Sequence, residues 1–311
     1  MDREKEIKDL IIIGAGPAGL TAGIYAARAK LNAIIFKGKP AGGQLMMALN
    51  VDDFPGFPNG ISGMELLELM TKQAKKFNLP MIEQEALAVD FKNRPFKITT
   101  EDRKNHYAKS VIIATGASQK YLGLEKEKDL IGKGVSFCAI CDAAFFNEKE
   151  VAVVGGGDVA MEDAVYLSRY AKKVFIILRR GELRASKILQ EEAKNIPKIE
   201  FIFNSEVIKL LVEKNLEGAV IKNNLTGEEK ELKIDGLFLA IGFKPASELF
   251  ENQLELDEKG YIKTRDCVKT SIEGVFAAGD VCDPNYRQAI TAAGLGAMAA
   301  IEADKWLRAN K

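Results

Sequence analysis

The chain has 311 residues, and its 44 lysines and arginines balance its 44 aspartates and glutamates, so its formal charge is zero. At roughly 150 residues per domain that length allows about two domains, and the balanced charge argues against nucleic acid or an anionic membrane surface as the main partner. The single histidine, His106, sits in a polar stretch that reads as a solvated turn; it rules out a multi-histidine zinc site and leaves a histidine-based hydrolase only one residue to use.

The charged start, Met1 to Lys5, is followed by no immediate apolar core, which predicts no secretory leader and a cytoplasmic protein. Residues 9–13 form a short apolar, β-branched run and predict a buried strand; Gly14-Ala15-Gly16-Pro17-Ala18-Gly19 follows, then an alanine-rich helix over 21–30 and a second strand over 32–36. Strand, glycine turn, helix and strand make one βαβ unit. The charge-free stretch 10–27 approaches the length of a membrane span, but its glycines and proline fit a strand and turn better. In the G-x-G-x-x-G pattern Gly14 makes the tight turn, Gly16 lets the backbone approach a pyrophosphate and Gly19 lets helix and strand pack closely. Lys37 stands where an acid for a ribose hydroxyl is usual.

Further along, Cys138-Ala139-Ile140-Cys141 is a C-x-x-C pair followed by Asp142. Cys267 and Cys282 offer no second such pair, so a reversible disulfide is favoured over structural zinc, and these two read as isolated thiols. Asp142 is suited to exchange a proton with a departing thiolate; a simple turn or helix-cap aspartate is the alternative. A second βαβ unit begins directly afterwards: a strand over 150–154, Gly155-Gly156-Gly157-Asp158-Val159-Ala160, a helix over 161–171 and a strand over 173–178. That strand runs into Arg179 and Arg180, with Arg184 close behind. Arginines here suit a nucleotide 2′-phosphate, hence NADP; a solvated basic turn is the alternative.

Each unit is followed by an apolar strand closing on Ala-x-Gly, at 111–116 and 237–242, which suggests two related nucleotide-binding domains with boundaries near 116–122 and 243–247. The tail carries a strand ending in Gly279-Asp280 and a long alanine-rich helix over 288–306, and is too short to be a domain of its own. Two nucleotide sites and one dithiol imply an electron path. A nicotinamide gives two electrons and a disulfide takes two, and a flavin is the natural relay, so the first site is expected to hold FAD and the second NADPH.

The segments GAGPAGLTAGIYAARA, GGQL (42–45), IIATGAS (112–118), CAICD, GGGDVAMEDA, RRGELRAS, GVFAAGD and YRQAITAAG, in that order, resemble the low-molecular-weight, bacterial-type thioredoxin reductases over essentially the whole chain. The resemblance implies an α/β fold of two Rossmann-like domains in a homodimer. The NADPH domain (118–245, carrying the C-x-x-C) would be inserted into a split FAD domain (1–117 and 246–311). It implies FAD contacts from Gly14, Gly16, Pro17, Ala18, Gly43, Gln44, Gly279, Asp280, Arg287, Gln288 and Ala289, and NADPH contacts from Gly155, Gly157, Asp158, Arg179, Arg180 and Arg184. Cys138 and Cys141 would be the redox pair with Asp142 beside them, the first cysteine exchanging with thioredoxin and the second facing the flavin; Phe145 and Phe146 would help dock thioredoxin. The chain departs from the family's usual residues at Leu178 (His), Val159 (Ser or Thr) and Asp53 (Asn). Because dithiol and nicotinamide sites share one domain, turnover is expected to need a rotation about the two connections. A reductase of another small dithiol protein and a redox sensor without turnover are the alternative functions.

Overall fold

A computed structural model of the chain describes residues 6–38 and 41–311; the charged start at 1–5 lies outside the described residues. They form two compact units. One comprises the described residues up to Ser118 together with Lys244–Lys311, and the other is Gln119–Phe243. The α-helices run Pro17–Arg28 (α1), Gly63–Lys76 (α2), Ala139–Asp142 (α3), Asp158–Leu167 (α4), Lys187–Lys194 (α5) and Ala289–Ala309 (α6).

In the first unit Ile7–Ile13 is the strand around which the sheet is built. It pairs in parallel with Ala33–Phe36 on one side and Asn105–Ile113 on the other. Met81–Ile82 extends the sheet in parallel, and Val275–Ala277, from the tail, pairs in parallel with Val111–Ile113. Ala86–Asp90 and Phe96–Thr100 add an antiparallel edge. Leu10 and Ile12 pack into one apolar cluster, and Ile11 and Ile13 into another. Successive side chains of a strand point to opposite faces, so a strand covered on both sides reads as an unbroken apolar run. The tail is tied in twice, through its strand and through α6, which lies so close to α1 that a Cβ at Gly296 would overlap the Ala18 carbonyl.

The second unit repeats the scheme. Ile199–Ile202, Lys173–Ile177, Glu150–Val154, Gly236–Leu239 and Val135–Ser136 form, in that spatial order, an all-parallel sheet. Val151 and Val153 pack on one face, Ala152 and Val154 on the other. A three-stranded antiparallel sheet, Ser205–Val212, Leu216–Asn223 and Glu229–Lys233, accompanies it.

Two expectations shift. Helix α1 starts at Pro17 rather than at 21, because proline suits the first helical position, where its missing N–H is not needed. His106 is on the strand Asn105–Ile113, not in a solvated turn. Its ring meets the edge of Phe36 at 4.8 Å and contacts Thr100 Oγ1 at 3.2 Å, and burial holds its pKa below the usual value.

Candidate active site

The two glycine turns occupy the same place in the two units and are built alike. Gly14 and Gly155 follow the first strand of each βαβ unit with φ of +112° and +150°, a region that disfavours side chains. Gly14 N–H donates to Phe36 O (2.8 Å) and Gly155 N–H to Ile177 O (3.1 Å). A Cβ at either glycine would run into a carbonyl, Ala114 O for Gly14 and Ala240 O for Gly155. Those alanines begin the two Ala-x-Gly endings seen in the sequence, so each ending is the wall that forces its glycine. In a parallel sheet all the strand C-termini lie along one edge, the edge where ligands of such folds bind.

At that edge of the first unit some of the expected residues come close to one another. The loop carrying Gly43 and Gln44 stands beside the turn, with Gly42 O 3.8 Å from where a Gly16 side chain would begin. Gly279 is pressed against Ala18 (2.9 Å for a Cβ) and faces Ala292 near the start of α6. Gln288 is the N-cap of α6 and shares a capping box with Thr291, placing Ala289 at the first helical position. Arg287, just before it, is held at φ +51°, a strained conformation of the sort that clusters at functional sites. Two polar groups there stand out. Gln44 Oε1 is buried without a hydrogen-bond partner. The Asp280 carboxyl is pushed up to about 6 by burial, with the charge of Asp283 adding to the shift and Arg287 opposing it. An orphaned acceptor and a desolvated acid beside an open glycine backbone fit a cofactor rich in hydroxyl and phosphate groups, as FAD is.

In the second unit the arginine loop is clamped onto the glycine turn. Arg184 and Ala185 N–H donate to Gly156 O (2.8 and 3.1 Å), and Ser186 N–H donates to Asp158 Oδ1 (2.7 Å). Asp158 is therefore already engaged in holding this loop. Asn204 N–H donates to Arg180 O (3.1 Å) and Asn224 Nδ2 to Arg179 O (3.3 Å). Arg179, Arg180 and Arg184 are exposed and form no ion pair among the described residues. A Cβ at Gly157 would meet open space, so the backbone is approachable. The apolar departure Leu178 is buried, with its side chain 3.6 Å from the Cβ position of Gly156; Val159, by contrast, is 40% exposed at the start of α4.

Cys138 and Cys141 form a disulfide, Cα to Cα 5.3 Å. It lies in the second unit just beyond the edge strand Val135–Ser136, on α3, which packs against α4. Cys138 is half-buried and Cys141 exposed. Cys141 N–H donates to Cys138 Sγ (3.2 Å), so the chain turns tightly enough to bring the sulfurs together. Ser136, which the sequence reading did not single out, donates its hydroxyl to Asp142 Oδ2 (2.6 Å) and accepts from Cys138 N–H (3.1 Å).

The two phenylalanines after the pair separate. Phe145 is 50% exposed, whereas Phe146 is 8% exposed and meets Phe238 edge-on at 5.2 Å. The pairing of both with a docking role is corrected: Phe146 is a core residue, because the short 3₁₀ turn over 143–146 points adjacent side chains to different sides. Cys267 and Cys282 are unpaired. Cys282 donates to Gly279 O (3.3 Å), and burial pushes its thiol up to about 12. Among the described residues no cluster of three or more histidine, cysteine or acidic groups could hold a metal.

The family model for pyridine nucleotide-disulphide oxidoreductases matches residues 8–296. A thioredoxin reductase of Streptomyces clavuligerus is 47% identical over 306 residues, covering 98% of this chain and 95% of its own length. One from Mycolicibacterium smegmatis is 46% identical over 308 residues, 99% of each chain. Among solved structures, thioredoxin reductase from Giardia duodenalis superposes with a TM-score of 0.93 at 40% identity, covering 98% of this chain and all of its own. The chain thus belongs to the pyridine nucleotide-disulphide oxidoreductases, and within them to the low-molecular-weight thioredoxin reductases.

Proposed function

We propose that the chain is an NADPH-dependent thioredoxin reductase with Cys138 and Cys141 as its exchanging pair. The observation that carries this is the Cys138–Cys141 disulfide standing in the same unit as a glycine turn with an attached arginine loop. When bound, FAD would supply a two-electron relay between a nicotinamide and a sulfur pair. Gly14, Gly16, Pro17, Ala18, Gly43, Gln44, Gly279, Asp280, Arg287, Gln288 and Ala289 would hold it. Gly155, Gly157 and the N-terminus of α4 would take the pyrophosphate of NADPH, while Arg179, Arg180 and Arg184 would read its 2′-phosphate.

The reduced pair then works by thiol–disulfide exchange. One thiol of the pair loses its proton and attacks a sulfur of the oxidised partner; the partner's S–S bond breaks and its departing thiolate takes up a proton. The second thiol attacks the mixed disulfide, closing Cys138–Cys141 and freeing the partner's other thiol. Two S–H bonds and one S–S bond are exchanged for the same number, so no further oxidant is needed. Asp142 is the carboxylate at hand to carry protons between these sulfurs, and exposed Ile140 and Phe145 offer apolar surface to the partner.

Turnover is proposed to need a change of orientation at the connections, 116–122 and 243–247. A homodimer is proposed as well, supported by Tyr25, Met298 and Ile301, apolar residues left exposed on α1 and α6. A reducing compartment such as the cytoplasm suits a chain that keeps Cys267 and Cys282 unpaired. Purified protein should carry about one FAD per chain, lose its yellow colour anaerobically with NADPH and regain it on addition of oxidised thioredoxin. Recovery with glutaredoxin but not thioredoxin would redirect the assignment to another dithiol partner, and a protein that cannot be loaded with flavin would end it.

A further inference from the structure

We propose that Ser136 is a positioning residue for proton transfer in the exchange step, holding the Asp142 carboxylate beside the sulfur pair in its ionised, proton-accepting form. This rests on the reading of Cys138 and Cys141 as the exchanging dithiol.

The geometry comes from the sheet. Ser136 is 4% exposed and sits opposite Phe238 in the parallel pairing of Val135–Ser136 with Gly236–Leu239, so the backbone from which its hydroxyl projects is fixed. A serine hydroxyl has one hydrogen to give and two lone pairs to receive with. Two acceptors compete for that hydrogen: Asp142 Oδ2 at 2.6 Å and Cys138 O at 3.4 Å. The shorter contact is in the range of a charge-assisted O–H···O⁻ bond. Cys138 N–H, 3.1 Å away, occupies a lone pair and polarises the hydroxyl in the same sense. The chain of donors thus runs from Cys138 N–H through Ser136 to the carboxylate, linking the first cysteine to Asp142 through a single buried side chain.

A donor aimed at a carboxylate favours its ionised form. That is the form required at the start of exchange, when the attacking thiol must give up its proton, and the same carboxyl then returns the proton to the departing thiolate. Without Ser136 the carboxyl would be protonated over a wider pH range and less well oriented. Helix α4, which packs against α3, carries Asp158, Glu162 and Asp163, with Asp158 accepting from Ser186 N–H, and Asp235 and Glu150 lie at the near ends of the adjoining strands. The neighbouring segments Ala143–Phe146 and Gly236–Leu239 carry no titratable side chain. Those acids are the same in wild type and variant, so they cancel in the comparison.

The test compares wild type with Ser136→Ala, Ser136→Thr, Asp142→Asn and the Ser136→Ala, Asp142→Asn double variant, each checked for flavin content and melting temperature. NADPH should reduce the flavin at the wild-type rate in Ser136→Ala and Ser136→Thr. For thioredoxin reduction, Ser136→Ala should move the acidic limb of the pH profile upward by about one unit, slowing the step up to ~10-fold on that limb and little above it, while Ser136→Thr restores it. In the Asp142→Asn background, removing Ser136 should have no further effect. Iodoacetamide alkylation of the reduced pair, followed against pH, does not depend on turnover and should respond to Ser136→Ala only where Asp142 is present. A uniform slowing at every pH, or the same factor lost with and without Asp142, would make Ser136 mere scaffold and overturn the proposal. If wild type reduces no thioredoxin, the underlying functional reading has failed instead, and alkylation still decides whether Ser136 governs Asp142. If Ser136→Ala does not fold, Ser136→Thr against Ser136→Cys, a weaker donor, gives the same contrast.

Discussion

Replacing Asp280 by asparagine should stabilise the flavin-free protein at high pH while weakening its hold on FAD. Burial raises the Asp280 carboxyl from 3.8 to about 6, with Asp283 adding and Arg287 opposing. At 1.36 kcal/mol per pH unit, keeping this group ionised in place costs about 3 kcal/mol. The folded-state value is the higher one, so the native protein binds the proton more tightly than the unfolded chain. Stability is therefore highest below about 4, declines as pH rises to about 6, and above that the whole cost is borne. Asparagine cannot ionise and escapes the cost. The flavin-free Asp280→Asn protein should melt ~5 °C or more above wild type at pH 8, with the gap narrowing towards pH 5 and closing near pH 4. Loss of the charge-assisted hydrogen bond that Asp280 is proposed to make to FAD should at the same time lower FAD affinity ~10-fold or more. Calorimetry of flavin-free protein from pH 4 to 8, with FAD titrations at pH 8, measures both. A variant that melts no higher than wild type at pH 8, or a difference independent of pH, would show that Asp280 is not a desolvated acid.

Arg179→Ala and Arg180→Ala should each raise the KM for NADPH ~10-fold or more and leave that for NADH nearly unchanged, since each would remove a charge-assisted contact proposed to the 2′-phosphate; equal effects on both nucleotides would mean the arginines do not read it. Phe145→Ala should raise the KM for thioredoxin without altering the melting temperature, whereas Phe146→Ala, which empties a core position, should cost ~3–5 kcal/mol in denaturant unfolding. Gly14→Ala should give protein with little FAD, because its Cβ would overlap the Ala114 carbonyl at a φ of +112°; a normal flavin complement would show that the turn can yield.

The sequence displays most of the frame because its main elements carry local signals. Apolar runs such as 10–13 and 151–154 are buried on both faces, and the glycines after them cannot bear side chains against Ala114 and Ala240. What stayed hidden depends on contacts between distant segments. Ser136 looks like any strand serine until the turn at Cys138 brings Asp142 back to it. Asn204 and Asn224 support the arginine loop from 24 and 45 residues away in the chain, and nothing in their own neighbourhood announces it. Phe145 and Phe146 are identical in kind and adjacent, so only the turn between them separates surface from core. The solitary His106 sits among polar neighbours in sequence, yet its strand carries it to the edge of Phe36.

The most direct test of the account is thioredoxin turnover by the Cys138→Ser, Cys141→Ser double variant. Neither cysteine lies in the first unit, where FAD is proposed to bind, so the variant should keep its flavin and bleach with NADPH in anaerobic stopped flow at the wild-type rate. Without the pair the partner's disulfide has no sulfur to exchange with, and thioredoxin reduction should fall to background. Turnover retained near the wild-type rate would contradict the dithiol route and leave a plain flavin reductase as the better description.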